Sequence, residues 1–288
     1  MKFASNMTFR LKLNQLAKGA FLSATLFGVV VLIILMAQVT IDGIQWIDMQ
    51  FITSHLSNTA SKAGIMGPIL GTLLLMVVVI VVTLSIGVGA AIYLELYAKN
   101  SRLNGFIQTN IRNLAGVPSI VYGILGLTIF ARLMDLGNTV LAGGFTLSLL
   151  VLPIVIVASQ EALRSVPNDI SEASYGLGAT TWQTIQRIIL PTALPGILTG
   201  AILAVSRSIG ETAPLVVLGI PALLIPFPNG FNDQFTALPL QIYYWTLDSV
   251  LVDEYANLAA ATIIILMTIL ITLNLTAIII RNKFQKHV

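Results

Sequence analysis

Apolar residues along this chain gather into six long runs separated by polar connections. They lie near Ala20–Ile41, Ile69–Leu94, Leu114–Ala131, Val140–Ser159, Leu194–Gly219 and Leu258–Ile280. Each run approaches or exceeds the roughly 20 residues that an α-helix needs to cross about 30 Å of hydrocarbon. Peptide groups cannot stay unpaired in lipid, so all six are predicted to be transmembrane helices. The first run is too long for the apolar core of a signal peptide and reads as an uncleaved anchor. One connection departs from the others. Between the fourth and fifth runs stands the polar segment EASYGLGATTWQTIQRIILP, Glu172–Pro191. It is predicted to open as a polar turn on Glu172, Ala173 and Ser174, to pass Gly178, and to close as a helix ended by Ile188, Leu190 and Pro191. Placed glycines and a proline-ended helix exceed what a connector requires, so the segment reads as a docking surface.

Composition agrees with a lipid solvent. The chain is 56% hydrophobic and 9% charged, against roughly 25% charged residues in soluble domains. It has no cysteine, which excludes disulfides, thiolate metal sites and cysteine nucleophiles. Lysines and arginines fall unevenly about the runs. Lys2, Arg10, Lys12 and Lys18 precede the first, and Lys99, Arg102 and Arg112 lie between the second and third. Arg164 and Arg187 flank the polar segment, and Arg281, Lys283 and Lys286 follow the last run. The opposite side carries only Lys62 and Arg132. Basic residues favour the cytoplasmic side, so both termini and the polar segment are expected there. The excess positive charge is explained by this asymmetry, and nucleic acid is not an expected partner. The connection from Ile220 to Asn257 is then external, with Phe227, Phe231, Tyr243, Tyr244 and Trp245 as aromatic anchors at the membrane border or contacts for an outside partner.

Arg207 alone among the basic residues lies inside a run, with Glu211 four residues later in SRSIGETAPL, Ser206–Leu215. On a continuous helix these positions share a face and pair. A charge at a helix centre costs ~2.5–3.5 kcal/mol to insert, so such residues usually face a polar path or a partner. The guanidinium fork suits an oxyanion bidentately. Glu211 would repel a divalent anion, which leaves two arrangements open. Glu211 either holds Arg207 between transport events or orients the guanidinium while the solute takes its other edge.

Gly71, Gly87 and Gly89 in the second run, and Gly116, Gly123 and Gly126 in the third, are predicted close-packing positions. Pro118, Pro153, Pro191 and Pro195 predict kinks or entries. No GxxxxGK phosphate loop, HExxH or GxSxG motif occurs, the two histidines are His55 and His287, and no internal repeat supports an inverted-repeat carrier. No catalytic site is expected in this chain.

Glu172, Ala173, Ser174, Gly178, Ile188, Leu190 and Pro191 match the spacing of the EAA loop of ABC importer permeases, with Ser174 in place of the second alanine. The segment thus resembles the coupling helix that seats in a cleft of the ATPase subunit. AGVPSIVYG (Ala115–Gly123), SRSIGETAPL and FTALPLQIYYW (Phe235–Trp245) further resemble the PstA-type branch that imports phosphate. The resemblance implies an all-α integral membrane protein with the six-helix type I ABC importer permease fold and a cytoplasmic tail over 1–19. It implies a first helix over 20–41, a permease core over 69–280 with the coupling loop at 161–196, and a C-terminal tail over 281–288. It implies a bacterial or archaeal plasma membrane, a PstC-like sister permease, two PstB-like ATPases and an extracytoplasmic phosphate-binding protein. ATP and Mg would belong to the ATPase, with no cofactor here, and Arg207 and Glu211 would lie on the substrate pathway. A permease for molybdate or sulfate, an ion-coupled carrier or channel acting alone, and a non-transporting assembly subunit remain as alternatives.

Overall fold

The computed structural model describes residues 7–99, 101–222 and 227–285. Lys2, Lys286 and His287 lie outside the described residues. The regular elements described are all helical, joined by one isolated β-bridge between Thr139 and Gln234. Helix α1 spans Met7–Gly43, so helical structure takes in much of the segment expected as a tail. A short α2 (Met49–Thr53) leads to α3 (Met66–Ile92), which runs on through a π-turn at Tyr93–Tyr97. Then come α4 (Arg102–Leu114), α5 (Ser119–Gly126, continued by a π-turn over Leu127–Leu133) and α6 (Val140–Arg164). The polar segment holds α7 (Asn168–Gly176) and α8 (Thr181–Thr184), and α9 covers Leu190–Ile209. The chain closes with α10 (Ala213–Leu218), α11 (Leu238–Asp248) and α12 (Glu254–Gln285).

Among the described residues five helices are long and apolar enough to cross a membrane, and a bent pair, counted as one span, makes a sixth. That pair corrects the third expected run. Leu114 ends α4, and the segment Ser119–Leu133 leaves it at 103°. The cause is local: Gly116 and Val117 close a tight turn onto Asn113 and Leu114, and Pro118 takes extended backbone (ψ 137°) before α5 begins. Proline also disfavours a helical residue before it, so no helix runs through this point. The fifth run is corrected too. A continuous helix over Thr181–Ile209 begins far ahead of Leu194, passes through Pro191 and Pro195, and stops before Gly210. Pro191 therefore ends no helix. It follows a π-turn at Ile185–Ile189, where Leu190 N–H reaches back five residues to Ile185 O.

The centre of the bundle is α3 against α6, running in the same direction. Glycines set their separation: a side chain on Gly144 would meet Val78 Cγ1 at 2.5 Å, and one on Gly87 would meet Val155 Cγ1 at 2.9 Å. Gly126 lies against Thr146 where α5 crosses α6, and Gly123 lies against Pro214 of α10. Gly89, by contrast, has nothing within 4 Å, and Gly116 touches only its own turn. Both were expected to be packing positions and are not. Around this centre Leu75, Val79, Leu147, Val151 and Leu215 are almost wholly buried. The α1 helix leans on α12, with Gly43 pressed against Ala260, while its apolar sides stay open.

The segment Ile220–Asn257, expected to be external, is more than a loop. Helix α11 buries Leu238, Leu240, Gln241 and Trp245 against α3 and α12. Trp245 is 3% exposed and packs on Phe51 and Tyr255, so it is a core residue and no surface anchor. Tyr244 donates from its hydroxyl to Ile220 O at 3.0 Å. Phe231 and Tyr243 remain exposed, and Phe227 stacks on His55 with ring centres 4.0 Å apart.

Gly87→Leu should therefore destabilise the bundle by about 1–3 kcal/mol through overpacking, whereas Gly89→Leu should be near neutral. Unfolding of the purified protein in detergent measures both, and equal effects would refute the assigned α3–α6 contact.

Candidate functional site: the hairpin and the broken helix

The hairpin is built by two capping devices. The α7 helix starts at Asn168, directly after Pro167, so Glu172 sits in mid-helix and Asp169 occupies the first turn. The polar turn expected at Glu172, Ala173 and Ser174 is thus helix, and the acidic start belongs to Asp169. The helix ends at Gly176, and two residues on Gly178 takes a φ of +84°, a left-handed backbone that favours glycine. Ala179 N–H returns to Ser174 O at 3.2 Å and closes that end. Thr180 then opens α8 with a capping box: Gln183 N–H donates to Thr180 Oγ1 at 3.3 Å, and Thr180 N–H donates to Gln183 Oε1 at 2.9 Å. Ser174 and Thr184, both buried, share a hydroxyl hydrogen bond of 2.9 Å that ties the two arms.

Glu172, Ala173, Gly178 and Pro191 are exposed, Ile188 and Leu190 are half-buried, and Ser174 faces inward. Leu190 packs against a cluster containing Leu94, Leu163, Ile185 and Ile189, which seats the hairpin on the ends of α3 and α6. Spacing did not single out the apolar residues that the hairpin displays. Leu177 is 91% exposed, and Trp182, Tyr175 and Ile170 are exposed beside it. Large apolar side chains within a polar stretch were the available signal. Beneath them Arg164 grips Glu95 with two bonds, Nε to Oε1 and Nη2 to Oε2, each 2.8 Å. Its Nη1 reaches Glu161 at 3.1 Å. This fork-to-carboxylate contact locks the end of α3 to the end of α6.

Arg207 lies in the last turn of α9, away from its centre, and Glu211 lies beyond the helix end. Gly210 and Glu211 turn back onto Arg207 O and Ser208 O, and α10 begins only at Ala213 with Pro214 in its first turn. The pair still forms, with Arg207 Nε 3.4 Å from Glu211 Oε1. The broken backbone delivers it, where helical i, i+4 geometry was expected to. Glu211 is tucked in at 17% side-chain exposure, while Arg207 stands out at 56%. Only Nε of the guanidinium is engaged among the described residues, which leaves Nη1 and Nη2 as a free donor edge. Leu203, one turn before Arg207 on the same side of the helix, is exposed as well.

Residues 84–287 match the family model described as the binding-protein-dependent transport system inner membrane component. The chain belongs to that family. It is 34% identical over 233 residues to a probable ABC transporter permease protein YqgI of Bacillus subtilis, covering 80% of this chain and 78% of that one. It is 31% identical over 281 residues to the phosphate transport system permease protein PstA of Yersinia pestis, covering 97% and 93%. With PstA 1 of Mycobacterium tuberculosis the identity is 35% over 223 residues, covering 76% and 70%. In fold it is similar to a bacterial alginate ABC transporter chain (TM-score 0.66, 15% identity, 94% of this chain and 96% of that one). It is also similar to the MetNI methionine ABC transporter in an inward-facing form (TM-score 0.60, 16% identity, 76% and 95%). The all-helical six-pass architecture is thus that of a type I ABC importer permease, and the chain is a multi-pass membrane transport subunit.

Ser174→Ala strands the Thr184 hydroxyl in a buried site and should cost about 1–3 kcal/mol. Ser174→Ala combined with Thr184→Val removes both partners and should recover most of that loss. A double-mutant cycle of thermal stability measures it, and additive losses would refute the hydroxyl contact.

Proposed function

We propose that this chain is one of the two membrane subunits of an ATP-driven importer of inorganic phosphate. It forms half of the translocation pathway together with a PstC-like sister permease. Two PstB-like ATPases bind on the hairpin side and hold the ATP and Mg. A phosphate-binding protein delivers the solute at the opposite face. The basic residues gathered toward the hairpin end support a cytoplasmic side for that end and both termini, in the plasma membrane of a bacterium or archaeon as the family resemblance implies.

The observation that carries the reading is the free edge of Arg207 beside a break in a membrane helix. Non-helical backbone is tolerated at membrane depth only where it is buried in protein or lines a cavity. There the Nη1 and Nη2 edge can take an oxyanion bidentately. Of the two arrangements open from the sequence, the Nε contact with Glu211 favours the orienting role. Phosphate, among oxyanions, is favoured by the PstA relatives, one of which matches nearly the whole chain. For coupling, the exposed Glu172 and the apolar surface of Leu177 and Trp182 make up the seat offered to the ATPase. A single helix over Thr181–Ile209 then joins this seat to Arg207.

The test is phosphate uptake by the assembled complex carrying Arg207→Ala or, separately, Glu172→Lys. Arg207→Ala removes charge-assisted bonds worth ~1.5–3 kcal/mol, so uptake should fall about tenfold or more with the ATPase still attached. Glu172→Lys should abolish uptake and also weaken recovery of the ATPase on pull-down. Normal ATP-dependent phosphate uptake in both variants would overturn the reading. Wild-type uptake of sulfate or molybdate in place of phosphate would overturn its substrate.

A further inference from the structure

On the side of α9 away from Arg207, a groove of about 270 Å³ runs between α3, α9 and α12. Ile80 and Leu84 form one wall, Ile202 and Val205 the second, and Leu273 and Ala277 the third. At 100° per residue, Ile202 and Val205 point roughly 140–160° around the helix from Arg207. The groove therefore opens on a different side from the proposed pathway. Its hydroxyl-bearing neighbours are already paired, Thr276 Oγ1 with Thr272 O at 2.8 Å and Ser206 with Asn274 Oδ1, and its lining is almost wholly apolar. At one mouth, one turn beyond Ala277, stands Arg281. Its Nη1 donates to Thr199 Oγ1 at 3.3 Å, its other bonds go to the adjacent Asn282, and among the described residues no carboxylate pairs with it. Lys283 is exposed at the same end.

We propose that this groove is a binding site for an anionic phospholipid, with one acyl chain between α3, α9 and α12 and the headgroup phosphate on Arg281. The argument is one of charge and shape together. Lipid tails are as apolar as the groove walls, so burial alone selects no occupant. Selection falls to the headgroup, where a cation without a counter-ion at the membrane border favours an anionic lipid. Close fit of the chain in the groove adds dispersion contacts that a smooth helix surface does not offer. The inference needs only that the bundle spans a membrane, and it holds whether or not the transported solute is phosphate.

The experiment uses the assembled transporter in nanodiscs of phosphatidylcholine and phosphatidylglycerol, with a trace of phosphatidylglycerol bearing a photoactivatable acyl chain. Crosslinks mapped by mass spectrometry should concentrate on Ile202, Val205 and Leu273. A phosphatidylcholine probe should label them far less. Arg281→Gln should lower labelling about fivefold, the factor expected for loss of one cation near an anionic lipid. Ala277→Trp should fill the groove and abolish labelling. Excess inorganic phosphate at constant ionic strength should change nothing, since a site for the free ion would be competed. The proposal is overturned if phosphatidylcholine labels equally or if Arg281→Gln has no effect. It is also overturned if labelling matches that on the outer face of α12 at Ile271 and Leu275, or if the groove stays unlabelled because a helix of another subunit covers it.

Discussion

Hydrocarbon cannot hydrogen-bond a peptide group, and this limit shapes every element of the molecule. It demands helices wherever the chain crosses, and it makes each departure from helix costly unless protein or water supplies the missing partners. Many of the buried hydroxyl side chains obey the same limit, with Ser159 and Thr236 as exceptions. Thr72, Thr83, Thr146, Ser148 and Thr262, all buried, each bond the carbonyl four residues back and so carry no unmet demand into the bundle. Against so uniform a background, the few irregular sites stand out. Two are the turn before Pro118, which precedes α5, and the break at Gly210, which precedes α10, and these two helices pack on each other through Gly123 and Pro214.

Much of this was legible from hydrophobic runs, because run length reports directly on bilayer thickness. The hairpin was legible in part: its polarity and Gly178 answer to backbone geometry, whereas Pro191 lies inside a helix that it was expected to end. The break in the fifth run was not, since Leu194–Gly219 is apolar on both sides of Gly210, and apolarity says nothing about where a helix stops. The signal was present in Gly210 followed by Pro214, which together deny the helix a good continuation. The bend before α5 was hidden in the same way, as Pro118 reads equally as a kink or a full stop. Trp245 was misjudged because an aromatic in an external segment suits the membrane border as well as a core. Only the packing of Phe51 and Tyr255 around it decides. The Arg164–Glu95 contact joins residues 69 apart in sequence, beyond the reach of any local pattern.

The two halves of the site sit at opposite ends of one element. Over its 29 residues the helix Thr181–Ile209 measures roughly 44 Å at 1.5 Å per residue. Trp182 lies near one end and Arg207 near the other, with Gly196 and Gly200 pressed against Ala162 and Ala158 of α6 between them. Small residues at that crossing hold the two helices close without interlocking long side chains. The result is one continuous rod, packed along α6, between the hairpin and Glu211.

The π-turn at Ile185–Ile189 gives this rod one place where its length can change without its angular phase changing. A π-turn fits one residue more than an α-turn into about one revolution, so the helix on either side of it keeps its facing. A one-residue deletion there would restore a plain α-turn and leave Trp182 and Arg207 nearly in their present relative directions. A one-residue deletion in the α-helical part beyond it would swing the hairpin about 100° around the axis. Outside that turn, the chain's length between hairpin and ion pair is thus under a tighter constraint than the identity of most residues within it.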